Sequence, residues 1–185
     1  MPVVLVTGCS SGFGRHTALA FAARGYTVYA TARSREALSV AVDDPENRKP
    51  DLHWLALDVT DRHAVHQVVA DVIRRSGRID VLVNNAGIHI PGSVEDVSDE
   101  DIELVMRTNF FGPVWLTRCV LPYMRAQKSG RIIMVSSLSA LVGLPVESLY
   151  CASKAALEGF AEGLRYEVDR FGIRVSAVEP GLFKT

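Results

Sequence analysis

The sequence predicts an α/β fold, a doubly wound parallel β-sheet with helices on both faces in three layers. Three observations predict it. Short β-branched runs alternate with helical patterns along the chain, as βαβ units require. A glycine-rich turn follows the first run directly. The 185 residues are 48% hydrophobic and 22% charged, which suits one soluble globular domain over residues 1–185 with a sizeable core.

The expected strands are 3–6, 27–31, 53–57, 81–83, 131–135 and 174–178. Between the first two, Ala18-Leu19-Ala20-Phe21-Ala22 reads as an apolar helix that ends at Gly25. The polar stretch 43–51, DDPENRKPD, reads as a surface loop. A long helix starts at Ser98, where Asp99, Glu100 and Asp101 put negative charge on its first turn. Pro113 and Pro122 are expected to bend or end pieces of the run 98–124. Glu179-Pro180-Gly181 reads as the exit of the last strand. A sheet normally continues from such a point, so the chain is expected to lack a C-terminal strand and helix, either as a fragment or as a trimmed chain.

Composition excludes several classes of function. A net charge of −1 without blocks of like charge gives nothing for nucleic acid or an anionic membrane to hold. No apolar run approaches the length of a membrane span, and MPVVLVTG lacks the basic start of a signal peptide. Cys9, Cys119 and Cys151 are scattered, as reduced thiols in a cytoplasm would be. His63 and His66 have no companion set to complete a metal site, so no metal is expected.

Thr7-Gly8-Cys9-Ser10-Ser11-Gly12-Phe13-Gly14 lies between a strand and a helix, where a dinucleotide-binding loop belongs. Gly8 would make the turn, Gly12 would admit a pyrophosphate, and Gly14 would let helix pack on strand. The helix N-terminus would then hold the anion. The acidic residue that reads an unmodified ribose is missing after the second strand, where Ala30-Thr31-Ala32-Arg33 stands. Arg33 instead suits a 2′-phosphate, with Ser11 and Arg15 as possible helpers, which favours NADP over NAD. Asp58, before Val59 and Thr60, serves either an adenine amino group or the cap of the helix near Asp61.

Asn84-Asn85-Ala86-Gly87 and Ser136-Ser137 both follow strands, where open α/β sheets bind ligands. Asn and Gly also simply favour turns. Tyr150 and Lys154 stand one helical turn apart. Asn109 is a poor helix former inside an expected helix. His89 is placed to line a substrate mouth.

These motifs appear in order. Together with Pro180-Gly181 they resemble the short-chain dehydrogenase/reductase family, over the whole chain, with a flavour similar to NADP-preferring hydroxysteroid and retinol dehydrogenases. The resemblance implies a Rossmann-like fold and an oxidoreductase that moves a hydride between NADP(H) and a secondary alcohol or ketone. It implies a catalytic set of Asn109, Ser137, Tyr150 and Lys154. Tyr150 would be the general acid/base, and Lys154 would favour its phenolate and bind the nicotinamide ribose. Ser137 would polarise the substrate oxygen, and Asn109 would hold a water of a proton relay.

The cofactor would touch Gly8, Ser10, Ser11, Gly12, Phe13, Gly14, Arg33, Asp58, Val59, Asn85, Ala86, Gly87, Tyr150 and Lys154. Pro180, Gly181 and Thr185 would lie along its nicotinamide side. A homodimer or homotetramer through the helices around 102–124 and 152–171 is implied as well. The alternative reading is a nucleotide-binding regulator without turnover, which predicts a damaged catalytic set. Loops 88–94 and 138–147, rich in Leu and Val, hint at a hydrophobic substrate.

Overall fold

A computed structural model gives the fold, and it describes residues 1–181. Six parallel strands form one sheet in the order β3-β2-β1-β4-β5-β6. They are β1 (Val3–Val6), β2 (Thr27–Ala32), β3 (Leu52–Ala56), β4 (Val81–Asn84), β5 (Gly130–Val135) and β6 (Ile173–Val178). Each matches an expected strand to within one residue at either end. The helices are α1 (Gly12–Ala23), α2 (Arg35–Asp43), α3 (Arg62–Ser76), α4 (Asp99–Met106), α5 (Gly112–Gln127) and α6 (Ser148–Val168).

Alternation along β1 divides the core in two. Val3 and Leu5 face α3, α5 and α6, in a cluster with Val65, Leu116, Val120, Leu157 and Leu164. Val4 and Val6 face α1, in a smaller cluster with Ala18, Val28 and Val83. The sheet is thus buried on both sides by successive residues of one strand. The strand order reverses between β1 and β4, so the turns that leave these two strands open onto one crevice.

The long helix differs from expectation. It runs as α4, a π turn over Arg107–Phe111, then α5. Pro113 sits in the first turn of α5, directly after the π turn, and does not end the helix. Pro122 lies inside α5 and does not end it. The helix stops five residues later, with Lys128 in the left-handed region at φ 53°.

The stretch 43–51 is more than a surface loop. Pro45–Asn47 form a 3₁₀ turn, and buried Asn47 donates to Ala41 O at 2.7 Å. No helix among the described residues is long and apolar enough to cross a membrane.

Candidate active site

The glycine loop leaves β1 and is bolted to the end of β4. Buried Thr7 is the bolt: its Oγ1 accepts from the amides of Asn85 and Ala86 at 3.0 and 2.9 Å. Asn85 Nδ2 answers by donating to the carbonyls of Thr7 and Gly8 at 2.8 and 3.0 Å. Gly8 takes φ +68°, and a Cβ there would stand 2.8 Å from Ala86 Cα. At Gly14 a Cβ would collide with the Gly8 carbonyl oxygen and with Asn85 Nδ2. The expected helix-on-strand contact is therefore a contact of α1 with its own loop. Gly14→Ala is expected to destabilise the fold by about 2–3 kcal/mol, because the clash is with backbone. Urea denaturation measures it, and an unchanged midpoint would mean that the loop yields.

A cavity of about 470 Å³ opens above this loop. Its wall brings together Gly8, Ser10, Ser11, Gly12, Phe13, Gly14, Arg33, Asp58, Val59, Asn85, Ala86 and Gly87. Helix α1 presents its N-terminus here with Ser11 at the cap position and no side-chain cap bond. By contrast Ser34, Asp61 and Ser98 cap α2, α3 and α4. The first amides of α1 therefore suit an anionic ligand group.

Asp61 caps α3 through the amides of His63 and Ala64, so Asp58 does not. Asp58 instead accepts from the Thr60 amide and hydroxyl at 2.8 and 2.7 Å, at the cavity edge. Val59 is mostly core, 5% exposed. Arg33 is exposed on the cavity wall and makes no ion pair among the described residues. Arg15 is not its helper. It pairs with Asp44 and Glu46 at 2.6 and 2.9 Å, and these partners hold its pKa above the usual value.

Pro180 and Gly181 line a neighbouring apolar cleft of about 530 Å³, joined to the cavity by Phe13, which borders both. Thr185 lies outside the described residues.

Two of the four expected catalytic side chains, Asn109 and Lys154, border Gly87. A Cβ on Gly87 would lie 3.3 Å from Asn109 Oδ1 and 3.4 Å from Lys154 Nζ. Asn109 sits in the π turn, fully buried. Its Oδ1 accepts from the Ile88 amide at 2.8 Å, and its Nδ2 donates to Ile88 O and Ser153 Oγ at 2.9 and 3.0 Å. The side chain is thus a strut between three segments, with one lone pair left for a relay.

Ser137 caps a 3₁₀ turn after β5, where its Oγ accepts from the Ser139 amide at 3.1 Å. Its hydroxyl lies close enough to the Tyr150 phenol to pull that pKa down. Burial outweighs it and, with the Glu147 carboxylate, holds Tyr150 above its ordinary value.

Sequence reasoning expects Lys154 to ease proton loss from Tyr150. Here Nζ donates to Val135 O at 2.8 Å and stands 5.7 Å from the Tyr150 ring centroid. Burial of the ammonium brings its own pKa from 10.5 to about 8, against the pull of Glu158.

His89 packs edge-on against Tyr150, with ring centroids 4.9 Å apart, and its Nε2 lies 3.7 Å from Glu147 Oε1. Cys9 is a core residue whose burial pushes its thiol up to about 12. Residues that the sequence did not single out include Ser34 and Thr108 on the cavity wall, Ser153 behind Asn109, and Glu147. Ser34 had a readable signal, a serine between Arg33 and a helix start.

Residues 2–185 match the short chain dehydrogenase family. The chain belongs to the short-chain dehydrogenase/reductase family. Among curated short-chain relatives, a 3-ketodihydrosphingosine reductase of Bacteroides thetaiotaomicron is 42% identical over 99% of this chain and 64% of its own length. A 3-oxoacyl-[acyl-carrier-protein] reductase, FabG, of Thermotoga maritima is 40% identical over 99% of this chain and 74% of its own.

A short-chain dehydrogenase structure from Streptomyces avermitilis superposes with TM-score 0.92 at 45% identity, over 100% of this chain and 66% of that one. The structure of ElxO with NADP bound superposes with TM-score 0.93 at 32% identity, over 99% and 74%. The chain therefore spans about two thirds of the length of several short-chain relatives.

Proposed function

We propose that the protein carrying this chain is an NADP(H)-dependent oxidoreductase that interconverts a ketone and a secondary alcohol on a hydrophobic substrate. The observation that carries this reading is the meeting of the Ser137 hydroxyl, the Tyr150 phenol and the Lys154 ammonium, with Lys154 bordering Gly87, itself a wall residue of the cavity that Arg33 borders. Two relatives named as reductases of 3-keto or 3-oxo compounds support the substrate class. The bound NADP of ElxO supports the cofactor.

The residues present fit such a dinucleotide. The uncapped amides of α1 would receive its pyrophosphate, the glycines would leave room for it, and Arg33 would hold a 2′-phosphate. When bound, the cofactor supplies hydride to the carbonyl carbon. Ser137 donates a hydrogen bond to the carbonyl oxygen, and Tyr150 gives it a proton. Lys154 recharges the phenol, with Asn109 holding the segments that border it. A raised Tyr150 pKa keeps the phenol protonated at neutral pH, which suits reduction. Alcohol oxidation needs the phenolate, so its rate rises with pH.

The test is NADPH oxidation with a panel of ketones. No turnover by the full-length protein sinks the reading. Arg33→Asp is expected to shift the ratio of kcat/KM for NADPH over NADH at least about tenfold toward NADH. An unchanged ratio removes Arg33 from cofactor choice.

A homodimer or homotetramer belongs to this reading, supported by exposed Phe111 and Tyr123 on the π turn and α5 and Tyr166 on α6. So does a cytoplasmic location, supported by the free thiols Cys9, Cys119 and Cys151.

A further inference from the structure

We propose that Glu158 is a positioning residue for the reaction: from one helical turn beyond Lys154, its partly buried carboxylate keeps the Lys154 ammonium charged. The proposal rests on the reading of Tyr150 and Lys154 as the reacting pair. Lys154 and Glu158 stand four apart on α6 and share one face of it. Helical side chains lean toward the N-terminus, which carries the Glu158 carboxylate back over the turn that holds Lys154. Glu158 Oε1 is buried and has no hydrogen-bond partner among the described residues. The two groups form no direct ion pair there, because Lys154 Nζ donates to Val135 O at 2.8 Å.

A buried carboxylate oxygen without a hydrogen bond is costly to keep. The compensation at hand is the ammonium one turn back, itself 4% exposed. Charges held out of water act on one another beyond contact distance. Burial brings the Lys154 pKa to about 8, and that value already includes the opposing pull of Glu158. Without the carboxylate the ammonium would give up its proton at a lower pH still, and the phenol would lose the charge beside it.

Other charges surround Lys154 but are spent or distant. On α6 itself Glu147 acts on Tyr150. The loop after β4 brings His89, which packs on the Tyr150 ring. The π turn brings Arg107, paired with Glu103 of α4 at 3.1 Å. Asp99, Glu100 and Asp101 stand on the first turn of α4. β5 and β6 contribute only exposed Arg131 and Arg174, and Asp169 and Arg170 follow the far end of α6. Of all these carboxylates, Glu158 alone acts on the ammonium.

Urea midpoints of the full-length protein against pH test the coupling without any substrate. The wild-type midpoint is expected to start rising near pH 8, where the buried ammonium sheds its proton. In Glu158→Gln the rise is expected to start about one pH unit lower, and in Glu158→Asp, which keeps the charge, near the wild-type pH. The double variant with Lys154→Met should show no such rise. An unchanged onset in Glu158→Gln, or an equal shift in Glu158→Asp, overturns the proposal. In ketone reduction, the ratio of kcat/KM of Glu158→Gln to wild type is expected to fall about tenfold between about pH 6 and 9. A loss uniform across pH marks a merely structural role and overturns the proposal too. Turnover that survives Tyr150→Phe overturns the catalytic reading and with it the role in the reaction, and the midpoints distinguish that failure from a failure of the coupling.

Discussion

Tyr150→Phe is expected to lower kcat/KM for ketone reduction by about 10³-fold while leaving the fold intact. The substitution deletes one oxygen. The ring keeps its edge contact with His89, and α6 keeps its packing through Leu157, Ala161 and Leu164. What goes is the phenol proton that Tyr150 would give to the carbonyl oxygen. Ser137 still donates a hydrogen bond there, so residual rate is expected from binding and polarisation alone. Stability should change by less than about 1 kcal/mol, since a half-buried phenol is only one hydrogen bond from a phenyl ring. Rates are read from NADPH absorbance and stability from urea denaturation. A loss below tenfold with an intact fold would falsify Tyr150 as the acid.

Lys154→Met is expected to act in two directions at once, lowering the rate about 10²-fold or more and stabilising the protein. The ammonium is 4% exposed, and its pKa falls from 10.5 to about 8 chiefly through burial. Such a shift corresponds to a cost on the order of 3 kcal/mol in the folded state. Loss of the bond to Val135 O offsets about 1 kcal/mol of the gain.

The pH dependence follows from proton counts. Below pH 8 both states hold the proton, and the fold carries the full cost. Between 8 and 10.5 only the unfolded chain holds it, so wild-type stability rises with pH. The margin of the variant over the wild type is therefore widest below pH 8 and closes toward 10.5. Denaturation midpoints for both proteins across this range measure it, and a margin that widens with pH would contradict a buried charged lysine.

The sheet was legible because most strands are local runs rich in β-branched residues, with Trp54 and two leucines serving in β3, and the cavity residues were legible because they follow strand ends. Tertiary pairing was not legible. Arg15 reads as a phosphate helper from its place near the glycine loop, but Asp44 and Glu46, 29 and 31 residues away, claim it. Thr7 reads as the first residue of a motif, and only the pairing of β1 with β4 reveals its hydroxyl as the junction between them. Proline rules expected a bend or an end at Pro122, and packing of Val120 and Met124 into the core carried α5 past it. The resemblance placed Tyr150 and Lys154 together. It did not anticipate that burial, rather than the lysine, governs the tyrosine in this arrangement.

The grip of Asn109 also says when the site comes into being. Its side chain joins residues 21 and 44 positions away, Ile88 and Ser153. Contacts of that span form late, after the elements between them have docked. The hydrogen on the Ile88 nitrogen therefore keeps time for the whole centre. Its exchange with solvent is expected to need α6 to lift from the sheet and the π turn to loosen, and to be unmoved by fraying of a nearby turn.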